Sequence, residues 1–219
     1  MANFKTHLNV SAFVSGISVA TLSYAHLITP KDSLLYFFGG IIGGILPDID
    51  HNKSIPIRIM QIFFTNLIAF LVVFKFMKKY PLLNLLFIWI ISYLIVSLLF
   101  LFFKKVTLHR GIIHSIPTSL IVWFLISIIS YRFFNLDIKK SYLLGFFVFI
   151  GYITHLVLDE IYSIDITGEK IKKSFGSALK LWGNNSVVNF ITYSILFILL
   201  IMLPQKGIFL SFIKGIINV

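Results

Sequence analysis

The chain has 219 residues, of which 58% are hydrophobic and 12% charged; the charged share is about half that of a soluble domain, which places the chain in the membrane class. Cysteine is absent, so disulfides, thiolate nucleophiles and iron–sulfur ligation are excluded, and any metal site must use His and carboxylates. The formal net charge is +11, but the Lys and Arg residues sit between apolar segments and form no basic stripe interleaved with aromatics. The balance therefore predicts contact with a lipid bilayer and its anionic headgroups, and no nucleic-acid partner.

Seven apolar segments follow one another, at roughly 8–28, 33–47, 57–77, 82–103, 112–131, 141–158 and 187–203. They predict an all-α, polytopic membrane helix bundle forming a single domain over 1–219. The first segment is only moderately apolar, but others follow at once, so it reads as a retained helix and not as a signal peptide. The second, SLLYFFGGIIGGIL, has 14 residues before Pro47 and is short for a crossing helix, which needs about 20; it is expected to extend backward to Pro30, to tilt or to be re-entrant. Its Gly39, Gly40, Gly43 and Gly44 favour close helix contact. The fourth segment carries no charge and is the clearest span. The links are short and polar except 160–186, which is too small to carry a core of its own. Tyr162 and Trp182 read as interfacial anchors of that link. The tail after Pro204 is expected along the membrane interface.

Parity sorts the polar residues. If each segment crosses once, one face of the membrane receives His7, Asp48, Asp50, His51, His109, His114, His155 and Asp159, while His26, Asp32 and Asp137 fall at the other. Five of six His and six of eight acidic residues thus share a face, together with the long link. Polar residues near membrane depth are costly and tend to be functional. The same face holds ten of the 19 Lys and Arg residues, too even a division for the positive-inside rule to orient the chain. The short N-terminus with Lys5 favours the cytoplasmic side of the cell membrane for this face.

Three blocks carry the chemistry. In LPDIDH, Asp48 and Asp50 do not share a helical face, but Pro47 breaks the helix and lets local backbone turn both inward; the alternative is a polar exit from the second segment. In HRGIIHS, His109 and His114 can meet one ion across a glycine turn, and Arg110 can hold an anion or a carboxylate; the alternative is a solvated basic loop. In HLVLD, His155 and Asp159 are four apart and share a face, able to chelate a metal or to pair with Asp159 orienting the imidazole. His7 joins them from the start of the first segment and alone would read as interfacial. Ser115 reads as a hydroxyl at a helix start, because no nucleophile-elbow pattern surrounds it. Imidazole and carboxylate donors suit Zn, Mn or Fe(II) over Ca or Cu. Eight candidates suffice for one ion with a full second layer or two ions about 3.5–4 Å apart.

LPDIDH, HRGIIHS and GYITHLVLDEIYS, in that order behind His7, resemble the family of membrane-bound metal-dependent hydrolases whose bacterial member is regulated by the repressor LexA. The resemblance covers most of residues 1–165. It implies His7, Asp48, Asp50, His51, His109, His114, His155 and Asp159 as the functional set. Such proteins often carry Thr before the second His of the HRG-x-x-HS block, where this chain has Ile113. The expected function is metal-dependent hydrolysis at the membrane face, on a phosphate ester of a lipid or lipid-like substrate, by metal-activated water with Zn or Mn as cofactor. Asp50 or Asp159 would accept the water's proton and Arg110 would stabilise developing charge. Two other classes compete: a metal-ion or proton-coupled transporter, and a non-catalytic structural or interaction protein. Transporters place their donors near the bilayer midplane, often in internal repeats; here the donors lie near segment ends and no repeat is visible.

Overall fold

The computed structural model describes residues 3–50, 55–107, 113–163 and 179–217. Among these there are eight α-helices: α1 (Phe4–Tyr24), α2 (Ser33–Ile45), α3 (Ile55–Phe76), α4 (Leu82–Thr107), α5 (Ile116–Arg132), α6 (Ile138–Ile161), α7 (Ser186–Met202) and α8 (Lys206–Ile217). The first seven match the seven apolar segments, and α8 is the tail. Short 3-10 turns at Pro30–Asp32 and Leu46–Asp50 bracket α2. The helices start where polar side chains meet orphan backbone N–H groups. Asn3 accepts from Thr6 N at 2.8 Å, Asp137 from Lys139 N at 2.9 Å, and Asn185 from Val187 N at 2.9 Å.

Among the described residues, two helices are long and apolar enough to cross a membrane by themselves, over Leu82–Leu101 and Ile138–Ile161. Helix α1 has 21 residues, but its serines, Asn9 and His7 dilute its hydropathy. Ser11 and Ser15 are buried, and their place in the packing explains them. Helix α7 and helix α8 are set at 106° to each other, with Gln205 at φ 46° in the turn between them.

The chain packs as two compact units, Met1–Pro47 with Gly111–Val219, and Asp48–Arg110. In the first, α6 packs against α1, α2 and α5, while α7 lies on α5. Its aromatic core is built on Trp123, Phe124, Tyr142 and Phe209, closed by Leu203 from the α7–α8 turn. The Trp123 indole N–H donates to Tyr142 O at 3.2 Å, and the Tyr142 hydroxyl donates to Pro204 O. The second unit is the α3–α4 hairpin, with Phe64, Thr65 and Ala69 buried and Phe70 against Trp89.

Glycine sets how closely α2 approaches its neighbours. A Cβ on Gly43 would overlap the Val148 carbonyl of α6, and one on Gly151 would overlap the Gly40 carbonyl of α2. On the other side, Gly40 and Gly44 accommodate Ser15 and Ser11 of α1. Small residues let the three backbones meet without a layer of side chains between them. The close contact expected from the four glycines is thus the α1–α2–α6 seam, and its far end carries the polar cluster described next.

A candidate metal centre

The cluster forms where the N-terminal turn of α1, the entry to α5 and the last turns of α6 meet. His7 Nε2 lies 3.3 Å from Asp159 Oδ1. His155 Nε2 and His114 Nε2 lie 3.5 Å and 3.8 Å from Asp159 Oδ2. The rings of His7 and His155 are stacked, with centroids 3.7 Å apart and planes 12° from parallel. His7, His155 and Asp159 are buried; the His114 side chain retains 20% exposure and is the open side of the group.

Each donor is aimed by its surroundings. His155 Nδ1 lies 2.8 Å from Gly44 O. A carbonyl only accepts, so Nδ1 carries a proton, and Nε2 is the ring nitrogen turned toward Asp159. That bond exists because the glycine seam brings the α2 backbone within reach of α6. His155 and Asp159 share one face of α6 at i and i+4, as the spacing predicted. His114 is held through the backbone beside it: Ile113 O accepts from the Tyr152 hydroxyl at 2.6 Å and from Ser115 N at 2.9 Å. The side chain at position 113 takes no part in that bond, so Ile in place of Thr leaves it intact. Ser115 is the residue before α5, buried, with its hydroxyl 3.1 Å from that of Thr118. It sits at a helix start, as expected of it.

His7 was the weakest signal in the sequence and is at the centre of the cluster. Its Nδ1 is buried and meets no hydrogen-bond partner among the described residues. Asp48 lies half-buried in the 3-10 turn that continues α2, and Asp50 ends that turn; the Asp50 side chain, His51, His109 and Arg110 lie outside the described residues, as does most of the 160–186 link. His26, Asp32 and Asp137 belong to the other ends of α1, α2 and α6 and are absent from the cluster. There Asp32 pairs with Lys140 at 2.8 Å and accepts from Thr29 at 2.7 Å. The Lys140 bond, then that of Thr29, holds the Asp32 carboxyl below the usual carboxylate range.

Two supports were missed in the sequence. Tyr152 had only its place in GYITH to recommend it. Lys180 forms a parallel backbone bridge with Ser115, its carbonyl accepting from Ile116 N at 3.2 Å. Burial pulls the Lys180 ammonium below the usual lysine range.

The family model described as YdjM inner membrane protein matches residues 1–171. The chain belongs to that family. The YdjM match spans α1 to the end of α6, and so contains all four residues of the cluster, the glycine seam and the three sequence blocks, and it ends before Lys180. It agrees with a membrane location and with two helices long and apolar enough to cross one. Comparison with curated proteins and with solved structures returned no match.

Proposed function

We propose that this YdjM-family protein is a metal-dependent hydrolase working at the membrane face. The observation that carries the reading is the convergence of three imidazole Nε2 atoms on one buried carboxylate. Two ligands at about 2.05 Å from a tetrahedral zinc ion stand about 3.3 Å apart. The separations of 3.3 and 3.5 Å in the cluster agree with such an edge, and they are long for a hydrogen bond. His7, His155 and Asp159 each offer a donor atom within 4.8 Å of the others, and the Gly44 carbonyl fixes His155 in the ligating tautomer. His7, His155 and Asp159, with His114 at the open side, would therefore hold a Zn or Mn ion. LPDIDH and HRGIIHS contribute Asp48, Asp50, His51 and His109 on the strength of the sequence motif.

A divalent ion in this place would bring the pKa of water toward about 7 and polarise a phosphoryl oxygen. The chain's residues do the rest. Asp159 is engaged by imidazoles at both oxygens, which suits it to holding and orienting; the LPDIDH motif offers Asp50 as the acceptor of the water's proton. The HRGIIHS motif offers Arg110 to stabilise the charge that develops on the substrate. The glycine seam excludes water from behind the cluster, and the half-open His114 side admits substrate. The position at helix ends of a membrane protein favours a phosphate ester borne by a lipid.

Elemental analysis of full-length protein purified without a polyhistidine tag tests the metal. About one equivalent or more of a transition ion is expected, lost in His155→Ala. Phosphate release from phosphatidic acid and isoprenoid phosphates, and alcohol release from generic phosphodiesters, test the reaction. Turnover should vanish with chelator and in His114→Ala; turnover persisting in both would overturn the mechanism. Metal-dependent flux in proteoliposomes without turnover would assign the same donors to transport.

A further inference from the structure

Residues 179–185 return to the site from beyond the family-matched stretch, and their backbone is tied on two sides. Toward α5, the Ser115–Lys180 bridge lays Lys180 beside the residue that follows His114. Toward α7, Leu181 O accepts from the Tyr193 hydroxyl at 2.8 Å, and both backbone groups of Gly183 pair with the Asn189 side chain at 2.7 and 2.8 Å. The Lys180 backbone is thereby placed beside Ser115, the residue that follows the one open residue of the cluster. Lys180 is half-buried, and no carboxylate among the described residues pairs with it. An ammonium that has lost part of its water and has no counter-charge among the described residues is held at a cost, and an arriving anion relieves it.

We propose that Lys180 is the anion-binding residue of this site, receiving the phosphoryl oxygens of a substrate that enters past His114. The proposal rests on the hydrolase reading and names its substrate class as a phosphate monoester, whose product, inorganic phosphate, presents the same oxygens. Arg110, from HRGIIHS, was the sequence's candidate for that task; Lys180 supplies a second cation from a different segment. A lipid headgroup and soluble phosphate offer the same oxygens, so the ligand's chemistry is assigned and its carrier is left to experiment.

The test uses the full chain in detergent micelles and reads 31P line broadening during titration with inorganic phosphate, and separately with short-chain phosphatidic acid. Lys180→Met should weaken binding about tenfold or more, the loss of one charge-assisted contact, and Lys180→Arg should stay within about threefold of the parent. Metal content should be unchanged in both variants, which separates loss of the anion site from loss of the fold. Weakening toward both ligands, or toward phosphatidic acid alone, identifies a headgroup reader; weakening toward inorganic phosphate alone identifies a soluble substrate. Parent-like binding by Lys180→Met, or no binding of either ligand by the parent, overturns the proposal. The hydrolase reading is judged apart, by whether the parent holds metal and His155→Ala releases it.

Discussion

His155 has its two ring nitrogens assigned to different tasks, one to the Gly44 carbonyl and one to Asp159. Removing either side of that arrangement has a calculable result. Asp159→Asn keeps the shape but replaces one acceptor oxygen with a donor amide facing imidazole nitrogen, and should lower metal affinity by about 100-fold or more, since even outer partners of a ligand are worth 10–100-fold; competition with a chromogenic chelator measures it. At the far end, Lys140 is 43% exposed and Asp32 15%. Water screens such a pair, so Lys140→Met should cost only about 0.2–1 kcal/mol. The sign with pH follows from the depressed Asp32 value. The stabilisation is complete above the ordinary carboxylate value of 3.8 and is lost as pH falls through the lower folded value. Asp32→Asn should flatten the acid limb of a melting-temperature profile and leave the neutral region nearly unchanged. Asp159 and His155 were legible because i and i+4 is a helical spacing. Lys180 was not, because its neighbour Ser115 is 65 positions earlier in the chain, and no local pattern records a single backbone bridge.

Helices carry the next level. Gly39, Gly40, Gly43 and Gly44 announced a close contact, and the seam with α6 is that contact. Its partner Gly151 sits in an otherwise bulky helix and gave no comparable sign. Gly43→Ala and Gly151→Ala each push a methyl into a facing carbonyl, which cannot yield as a flexible side chain does. Overpacking of this kind costs about 1–3 kcal/mol or more, and here it also draws the Gly44 carbonyl away from His155. Both variants should lose thermal stability and metal together. Gly207→Ala, in α8, meets nothing within 4 Å and should be neutral or slightly stabilising, as alanine usually is in an open helix. Differential scanning fluorimetry and metal content, run side by side, check all three. The mixed character of α1 has the same origin. Its serines depress hydropathy because Ser11 and Ser15 must fit against glycine, so a composition test passes over a helix whose polarity is spent inward.

At the scale of the whole chain, counting crossings predicted that His7, His114, His155 and Asp159 share one face. Their assembly in the first unit agrees with that partition, whereas the Asp50 side chain, His51, His109 and Arg110 fall outside what the structure describes, and the ten-to-nine division of basic residues left orientation unread. Because cysteine is absent, single-cysteine labelling can test the crossings without a background. Lys5→Cys and Trp182→Cys should react with a membrane-impermeant maleimide from one side, and Lys31→Cys and Lys139→Cys from the other; mixed reactivity within either pair would break the parity scheme. The cluster also joins residue 7 to residue 159, nearly the full length of the family-matched stretch. An ion held there is a removable cross-link in a chain that can make no covalent one. The unfolded chain cannot keep its donors together, so each tenfold rise in free ion above the dissociation constant adds about 1.4 kcal/mol to the folded state. On the proposed reading, melting temperature should therefore climb with the logarithm of free zinc, and starvation for the ion would shorten the life of the protein itself.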